Sequence, residues 1–424
     1  MSIVRPRAAL APFQLRSFRF QWPADLCTSC AFEMETLILG WYVLVETQSV
    51  FILTIYASMQ HIGTLLGPMF GVMGDRVGQR KLLSVMRALY CLLAGLIMSL
   101  ALTEQLHPYP VLAIAAVMGM VRPSDNGMRT ALTAETVPKT HLMSAMGIQR
   151  TTQDTARIAG ALSGAGLMGL VGMGPAYAVI FCLYTASFLL TTQTGAAKLV
   201  DTAPPEQPGS QSPWRDLKEG LNYVFTTPYL LGTMVLALLL NMTAFPLANS
   251  LQPYIVKEVF GGNQATLGYM IACTGSGAVF GSIALSRINR FLHPSRLMIY
   301  ASLTWFLMLL IYTQTTTARI GMIVLFFSGI AQGTALVTMA AILLRNSDPK
   351  YRGRIMGVRM LAIYSNMPGI LLAGFLIPRV GFAPIAAAYC VCGILATFVI
   401  VYYWRAALWN GNAPANAHSS TDAP

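Results

Sequence analysis

The chain has 424 residues, 55% hydrophobic and only 10% charged, with mean hydropathy +0.58 and a formal net charge of +12. A soluble globular protein is about a quarter charged and has nowhere to hide this much apolar surface, so a soluble fold is excluded. The excess Lys and Arg is spread over many short segments, which excludes a nucleic-acid surface and points to one side of a membrane.

Apolar runs long enough to cross a bilayer core of about 30 Å recur along the whole chain. Lipid offers backbone N–H and C=O groups no partner, and the period-2 alternation of a membrane barrel is absent, so the runs are helices. Twelve spans are predicted: 20–44, 48–73, 82–103, 108–134, 143–170, 174–194, 227–252, 263–288, 295–314, 319–344, 354–378 and 381–404.

The first span has no small-residue cleavage site in the right place and reads as a retained helix. Its Cys27 and Cys30 form a CxxC inside an apolar run. They and Cys91, Cys182, Cys273, Cys390 and Cys392 read as packing residues, with no metal and no cofactor implied. The same span carries Asp25, Glu33 and Glu35. At 100° per residue Glu33 and Glu35 lie about 200° apart and cannot face one cavity together. Asp25, Ser29, Glu33 and Thr36 share a polar face, which favours Glu33 as the cavity residue and leaves Glu35 open.

The second span holds His61, read as a packing residue, and ends in a charged hairpin, GVMGDRVGQRKLL (71–83), where Gly71, Gly74 and Gly78 permit a tight turn. The fourth span places Arg122 at mid-depth, Asp125 and Arg129 nearer the inner side, and Glu135 at the inner end; the fifth carries Asp154 and a deep Arg157. Charges within a membrane span cost a few kcal/mol each and face an interior or an aqueous cavity. The depths therefore pair Glu33 or Glu35 with Arg122 or Arg157. A static salt bridge holding these helices together is the structural alternative. Pro123, Pro253 and Pro368 are expected to interrupt their helices, and Gly160, Gly164, Gly166 and Gly169 to let the fifth helix approach a neighbour closely.

A polar Pro- and Ser-rich stretch, 195–226, reads as a linker ending in a short amphipathic helix. The second half has almost no charge in mid-span and offers Asn241, Gln332 and Asn366 as neutral cavity candidates. Residues 405–424 read as a disordered tail.

Placing the N-terminus in the cytoplasm puts 22 of the 28 Lys and Arg residues on the inner side and three outside. The two halves repeat. Phe70-Gly71 is echoed by Phe280-Gly281, and PKTHLMSAMG (138–147) by PKYRGRIMG (349–357), at offsets of 210 and 211 positions. Both pairs follow an even-numbered span on the inner side, as two six-helix halves of parallel topology require, 1–194 and 227–404.

The GxxxDRxGxRK pattern of Gly71, Asp75, Arg76, Gly78, Arg80 and Lys81 resembles the loop between helices 2 and 3 of the major facilitator superfamily. The stretch from Gly40 to Leu83, together with DLKEGLNYVFTTPYL (216–230) and RGRIMG (352–357), is similar to the bacterial exporter branch that includes the enterobactin exporter and macrolide efflux pumps. The second-half loop has Leu285-Ser286-Arg287 in place of the acidic residue, and the fifth helix lacks the Gly-Pro of many drug antiporters.

The resemblance implies an all-α membrane protein of two pseudo-symmetric six-helix bundles in a bacterial inner membrane. It also implies an inner latch in which Asp75 meets the start of helix 11 and Arg76 or Arg80 pairs with Glu135. With a carboxylate at mid-depth, the expected function is proton-coupled export of a small amphiphile, a siderophore or a drug-like compound, by a monomer with both termini cytoplasmic. A siderophore importer or a lipid flippase on the same scaffold is the alternative. A membrane enzyme or receptor is the distant one, since no HExxH, GxSxG or P-loop occurs.

Overall fold

The computed structural model describes residues 11–195, 213–288, 293–345, 347 and 351–409. Most of the expected linker (196–212), the tail beyond 409, and the inner-side cations Arg5, Arg7, Lys198, Arg290 and Lys350 lie outside the described residues. Among the described residues there is no strand.

In chain order the helices are α1 (Arg16–Thr47), α2 (Val50–Met59 and Gly67–Val77), α3 (Gln79–Leu102), α4 (Pro108–Thr136), α5 (Lys139–Val171) and α6 (Met173–Thr192). The amphipathic helix Pro213–Thr226 follows. Then come α7 (Pro228–Phe245), α8 (Gln264–Ile288), α9 (Pro294–Thr313), α10 (Ala318–Arg345), α11 (Arg352–Tyr364 and Asn366–Val380) and α12 (Phe382–Tyr403). Among the described residues eight helices are long and apolar enough to cross a membrane, and the two pieces of α2 together make a ninth. The other three, α1, α4 and α5, have ample length at 32, 29 and 33 residues. They fall short only in apolarity, because they carry the in-span charges.

The connections are short. Gly78 alone joins α2 to α3, at φ +96°, a left-handed region that only glycine enters without strain. Gly71 and Gly74 lie inside the second piece of α2 and make no turn. The same one-residue device recurs at Gly172 between α5 and α6 and at Gly381 between α11 and α12.

α2 breaks where the sequence suggested one span: a 3-10 turn, Ile62–Leu66, separates its pieces, with Pro68 opening the second. Pro123 interrupts nothing, because α4 runs unbroken through it. A proline leaves the carbonyl four residues back without its in-helix donor. For Pro123 that carbonyl is Gly119's, and Gly63 of the α2 break packs on the backbone there, 2.6 Å from that oxygen for an added Cβ. The break in α11 falls at Ser365, just before Pro368. Pro253 sits beyond the end of α7, between two π-helical turns, Pro246–Ser250 and Ile255–Val259.

The chain forms two compact units. The first holds α1 to α6 together with Asn249–Gly275. In it α1 packs on α5 and α6, and α3 on α6. The second holds the rest of the later helices; in it α7 packs on α11 and α12, and α9 on α12. These are the same adjacencies six helices on, as an internal repeat requires.

Candidate functional site

Two groups in the first unit bring charged side chains together inside the helix bundle. The inner group joins α1, α3, α4 and α5. Asp25, Arg87, Asp125 and Arg129 are all at most 3% exposed. Arg87 pairs with Asp25 and donates to Thr191 of α6; Arg129 pairs with Asp125, one turn away on α4, and stands 3.7 Å from Asp25. Arg129 also donates to Ser29 at 2.8 Å, and Gln149 donates to Asp25 at 3.3 Å and to Thr133 at 2.6 Å. Two carboxylates and two guanidiniums cancel, so the group carries no net charge into the low-dielectric interior.

The 22 Lys and Arg residues counted on the inner side include Arg87. α3 begins at Gln79, so Arg87 lies eight residues inside the helix, about 12 Å from its start, and is fully buried. One cation of the inner-side tally is thus a core residue.

The second group is central. α4 presents Arg122 two turns before Arg129, facing α1 two turns on from Asp25 and Ser29. Arg122 donates to Thr36 (2.9 Å), to Gln60 at the α2 break (3.1 Å) and to the Phe32 carbonyl (3.0 Å), and its guanidinium lies 4.2 Å from the Phe32 ring centroid. Glu35, 2% exposed, accepts from Tyr184 at 2.8 Å and from Tyr177 at 3.5 Å. These tyrosines stand two turns apart on one face of α6. Glu35, Tyr56, Gln60, Met118 and Arg122 line a narrow cleft with about 10 Å³ of free space, the room of about one water. Among the described residues Glu35 makes no ion pair.

Of the two glutamates, then, Glu35 lines the cleft with Arg122. Glu33 is half-buried, with its Cβ over Gly160 of α5, and makes no hydrogen bond or ion pair among the described residues. The α1 face of Asp25, Ser29 and Thr36 is the one that receives the α4 arginines, and Glu33 stands outside those contacts.

Arg157 is half-buried and donates to Asn249 in the first π-helical turn beyond α7. Asp154 pairs with Arg150 at 3.2 Å on an accessible face of α5. In the hairpin, Asp75 accepts from Gln79 at 3.0 Å and Arg80 donates to the Thr192 carbonyl. Arg76, Lys81 and Glu135 are exposed, and among the described residues no ion pair joins Arg76 or Arg80 to Glu135, the pairing the loop resemblance implied.

In the second unit Asn241, Gln332 and Asn366 are buried, at 6%, 2% and 5%. Asn241 turns back to its own helix, donating to the Ala237 carbonyl at 2.8 Å. Gln332 Oε1 has no hydrogen-bond partner among the described residues. No three His, Cys, Asp or Glu side chains cluster as a metal site among the described residues.

Sequence reasoning missed Arg87, Gln60, Tyr177, Tyr184 and Asn249. For the tyrosines the seven-residue spacing of Tyr177 and Tyr184 was an available signal, since it puts two hydroxyls on a single helix face.

Comparison with known proteins agrees with this architecture. The sequence model of the Major Facilitator Superfamily matches residues 26–367 and 234–423. Multidrug resistance protein MdtG of Citrobacter koseri is 25% identical over 346 residues, covering 80% of this chain and 81% of that one. The MdtG of Salmonella arizonae is 24% identical over 346 residues, with the same coverage. Among solved structures, the nucleoside transporter NupG superposes with a TM-score of 0.72 at 12% identity, covering 92% of this chain and 100% of its own. An auto-inhibited POT family peptide transporter gives 0.72 at 11% identity, with 92% and 97% covered. At such identities the structural likenesses speak for the fold alone. The sequence match runs through both repeated halves and takes in the in-span charges of α4 and α5: this chain belongs to the Major Facilitator Superfamily.

Proposed function

We propose that this transporter exports small amphiphilic, drug-like molecules in exchange for protons by alternating access, with Glu35 as the carboxyl that exchanges the proton. One observation carries the reading. Glu35 is buried at the wall of a cleft, held by two neutral tyrosine donors and, among the described residues, paired with no cation, while Arg122 lines the same cleft on neutral acceptors. Neither charge is locked to an opposite one. Each is free to answer a guest or a change in water access, which a static ion pair is not. The inner group differs, because every charge there has a partner. The multidrug resistance name of the relatives supports the drug-like substrate class.

The test is ethidium efflux from proteoliposomes under an imposed pH gradient. The wild type accelerates with the gradient. Glu35→Gln loses that response by about tenfold or more, as expected when a required proton carrier is removed. Glu33→Gln keeps it. Efflux that ignores the gradient, with Glu35→Gln transporting normally, would sink the proposal.

A further inference from the structure

We propose that Arg157 and Asn249 form a substrate subsite for an anionic, acceptor-bearing group, so that the transported molecules include carboxylate-bearing amphiphiles. The proposal rests on the transport reading above and adds the charge class of the substrate to it.

The argument starts from hydrogen-bond inventory. A guanidinium has five N–H donors and no acceptor. Asn249 must therefore meet Arg157 with Oδ1, as it does, and this turns the amide nitrogen away. That nitrogen is buried and has no hydrogen-bond partner among the described residues. Arg157 makes no ion pair among them either. Arg87, Arg129 and Arg150 each have a carboxylate, and Arg122 has three neutral acceptors. The half-buried Arg157, with a single neutral acceptor, stands apart from them.

The backbone at Asn249 is unusual in the same place. Pro246 has no N–H to give to the Met242 carbonyl four residues back, and the chain leaves the α-helical ladder there for a π-helical turn over Pro246–Ser250. π-helical turns are rare overall and are frequent at functional sites. Here the turn carries Asn249 to Arg157. The result is a set of donors, charged on one side and neutral on the other, with too few acceptors. A carboxylate completes it by accepting from both at once, which is the strong form of charged hydrogen bond.

The experiment uses the full chain in detergent with two fluorescent probes, anionic carboxyfluorescein and cationic ethidium, with affinities read by anisotropy. The wild type is expected to bind carboxyfluorescein. Arg157→Gln weakens that binding by about tenfold or more, the scale of a lost charged hydrogen bond, and leaves ethidium within about twofold. Asn249→Asp guards against misfolding as an explanation: it keeps the contact, gives Arg157 its own carboxylate and repels the anion, so the same loss is expected in a stable protein. Carboxyfluorescein affinity unchanged in Asn249→Asp overturns the subsite. So does Glu33→Gln reproducing the loss seen in Arg157→Gln, since the nearby glutamate would then be organising the donors. A wild type that exports ethidium under a pH gradient yet does not bind carboxyfluorescein overturns the subsite and leaves the transport reading standing.

Discussion

Removing one member of a buried ion pair strands the other, at a cost of about 3–5 kcal/mol, whereas replacing both with apolar side chains of similar size is often close to neutral. The inner group lends itself to that distinction because its charges divide into two pairs. Asp25 with Arg87 can be taken out as one, leaving Asp125 with Arg129 balanced. Asp25→Asn alone leaves Arg87, which is 0% exposed, without its carboxylate. We expect it to lower the thermal midpoint in detergent sharply and to cut the folded yield. Asp25→Val combined with Arg87→Leu should restore most of the lost stability. If the double variant also restores gradient-driven ethidium efflux, the inner group holds α1, α3 and α6 together and carries no proton. If stability returns without efflux, the pair has a part in transport and Glu35 is not the whole coupling apparatus.

At the scale of elements, the length of an apolar run was legible in the sequence but the phase of its helix was not. Among the described residues a helix lies over each of the twelve predicted runs, and nine of these are apolar enough to cross a bilayer, which takes about 20 residues whatever the helix touches. Which side of each helix meets a neighbour depends on tertiary packing. On α5, Gly160 and Gly164 fall on one face; an added Cβ would come within 2.8 Å of the Cys30 carbonyl oxygen at the first and 2.9 Å of Met34 Cα at the second. Gly166 and Gly169 lie roughly 180–240° round from Gly160 and have nothing within 4 Å. Four glycines read as one close approach are thus two of contact and two of open space. Gly164→Val should cost about 1–3 kcal/mol through overpacking against a backbone that cannot retreat, whereas Gly166→Ala should lose no stability and gain up to about 1 kcal/mol from the better helix former. Thermal midpoints of the two purified variants decide it, and equal losses would mean that α5 is rotated from the position described. The same problem of phase explains Glu33 and Glu35. Their separation of about 200° was computable, but which of them meets the cleft was decided by the helices packed on either side: α5 brings Gly160 over Glu33, and α6 brings Tyr177 and Tyr184 to Glu35. The break in α2 that supplies Gln60 left only Gly63, Gly67 and Pro68 as its trace in the sequence.

For the whole molecule the informative feature is a repeat in shape without a repeat in charge. The offset of 210 positions set by Gly71 and Gly281 carries Arg122 onto Gln332, Asp125 onto Ala335 and Arg129 onto Met339. α7 has no Asp, Glu, Lys, Arg or His, where α1 carries four carboxylates, Asp25, Glu33, Glu35 and Glu46. The two units keep the same helix adjacencies, so the charges of the first are not needed to build a six-helix bundle; apolar and neutral side chains suffice in the second. That fits the proton exchange proposed for Glu35 in the first half, and it predicts that neutral groups of the second half add to substrate selection beside the subsite proposed at Arg157. Gln332 is the place to test it. Its Oε1 is buried without a hydrogen-bond partner among the described residues, so Gln332→Leu removes an unpaired polar atom and should leave stability unchanged or higher. If the second half selects the substrate, Gln332→Leu changes the relative export of a set of dyes while the pH dependence of ethidium efflux keeps its midpoint and slope. Glu35→Gln does the reverse, flattening the pH dependence and leaving the order of dye preference alone. A Gln332→Leu variant whose pH profile flattens as Glu35→Gln is expected to do would mean that the position equivalent to Arg122 in the repeat shares in the proton step, and the assignment of coupling to one half would have to be given up.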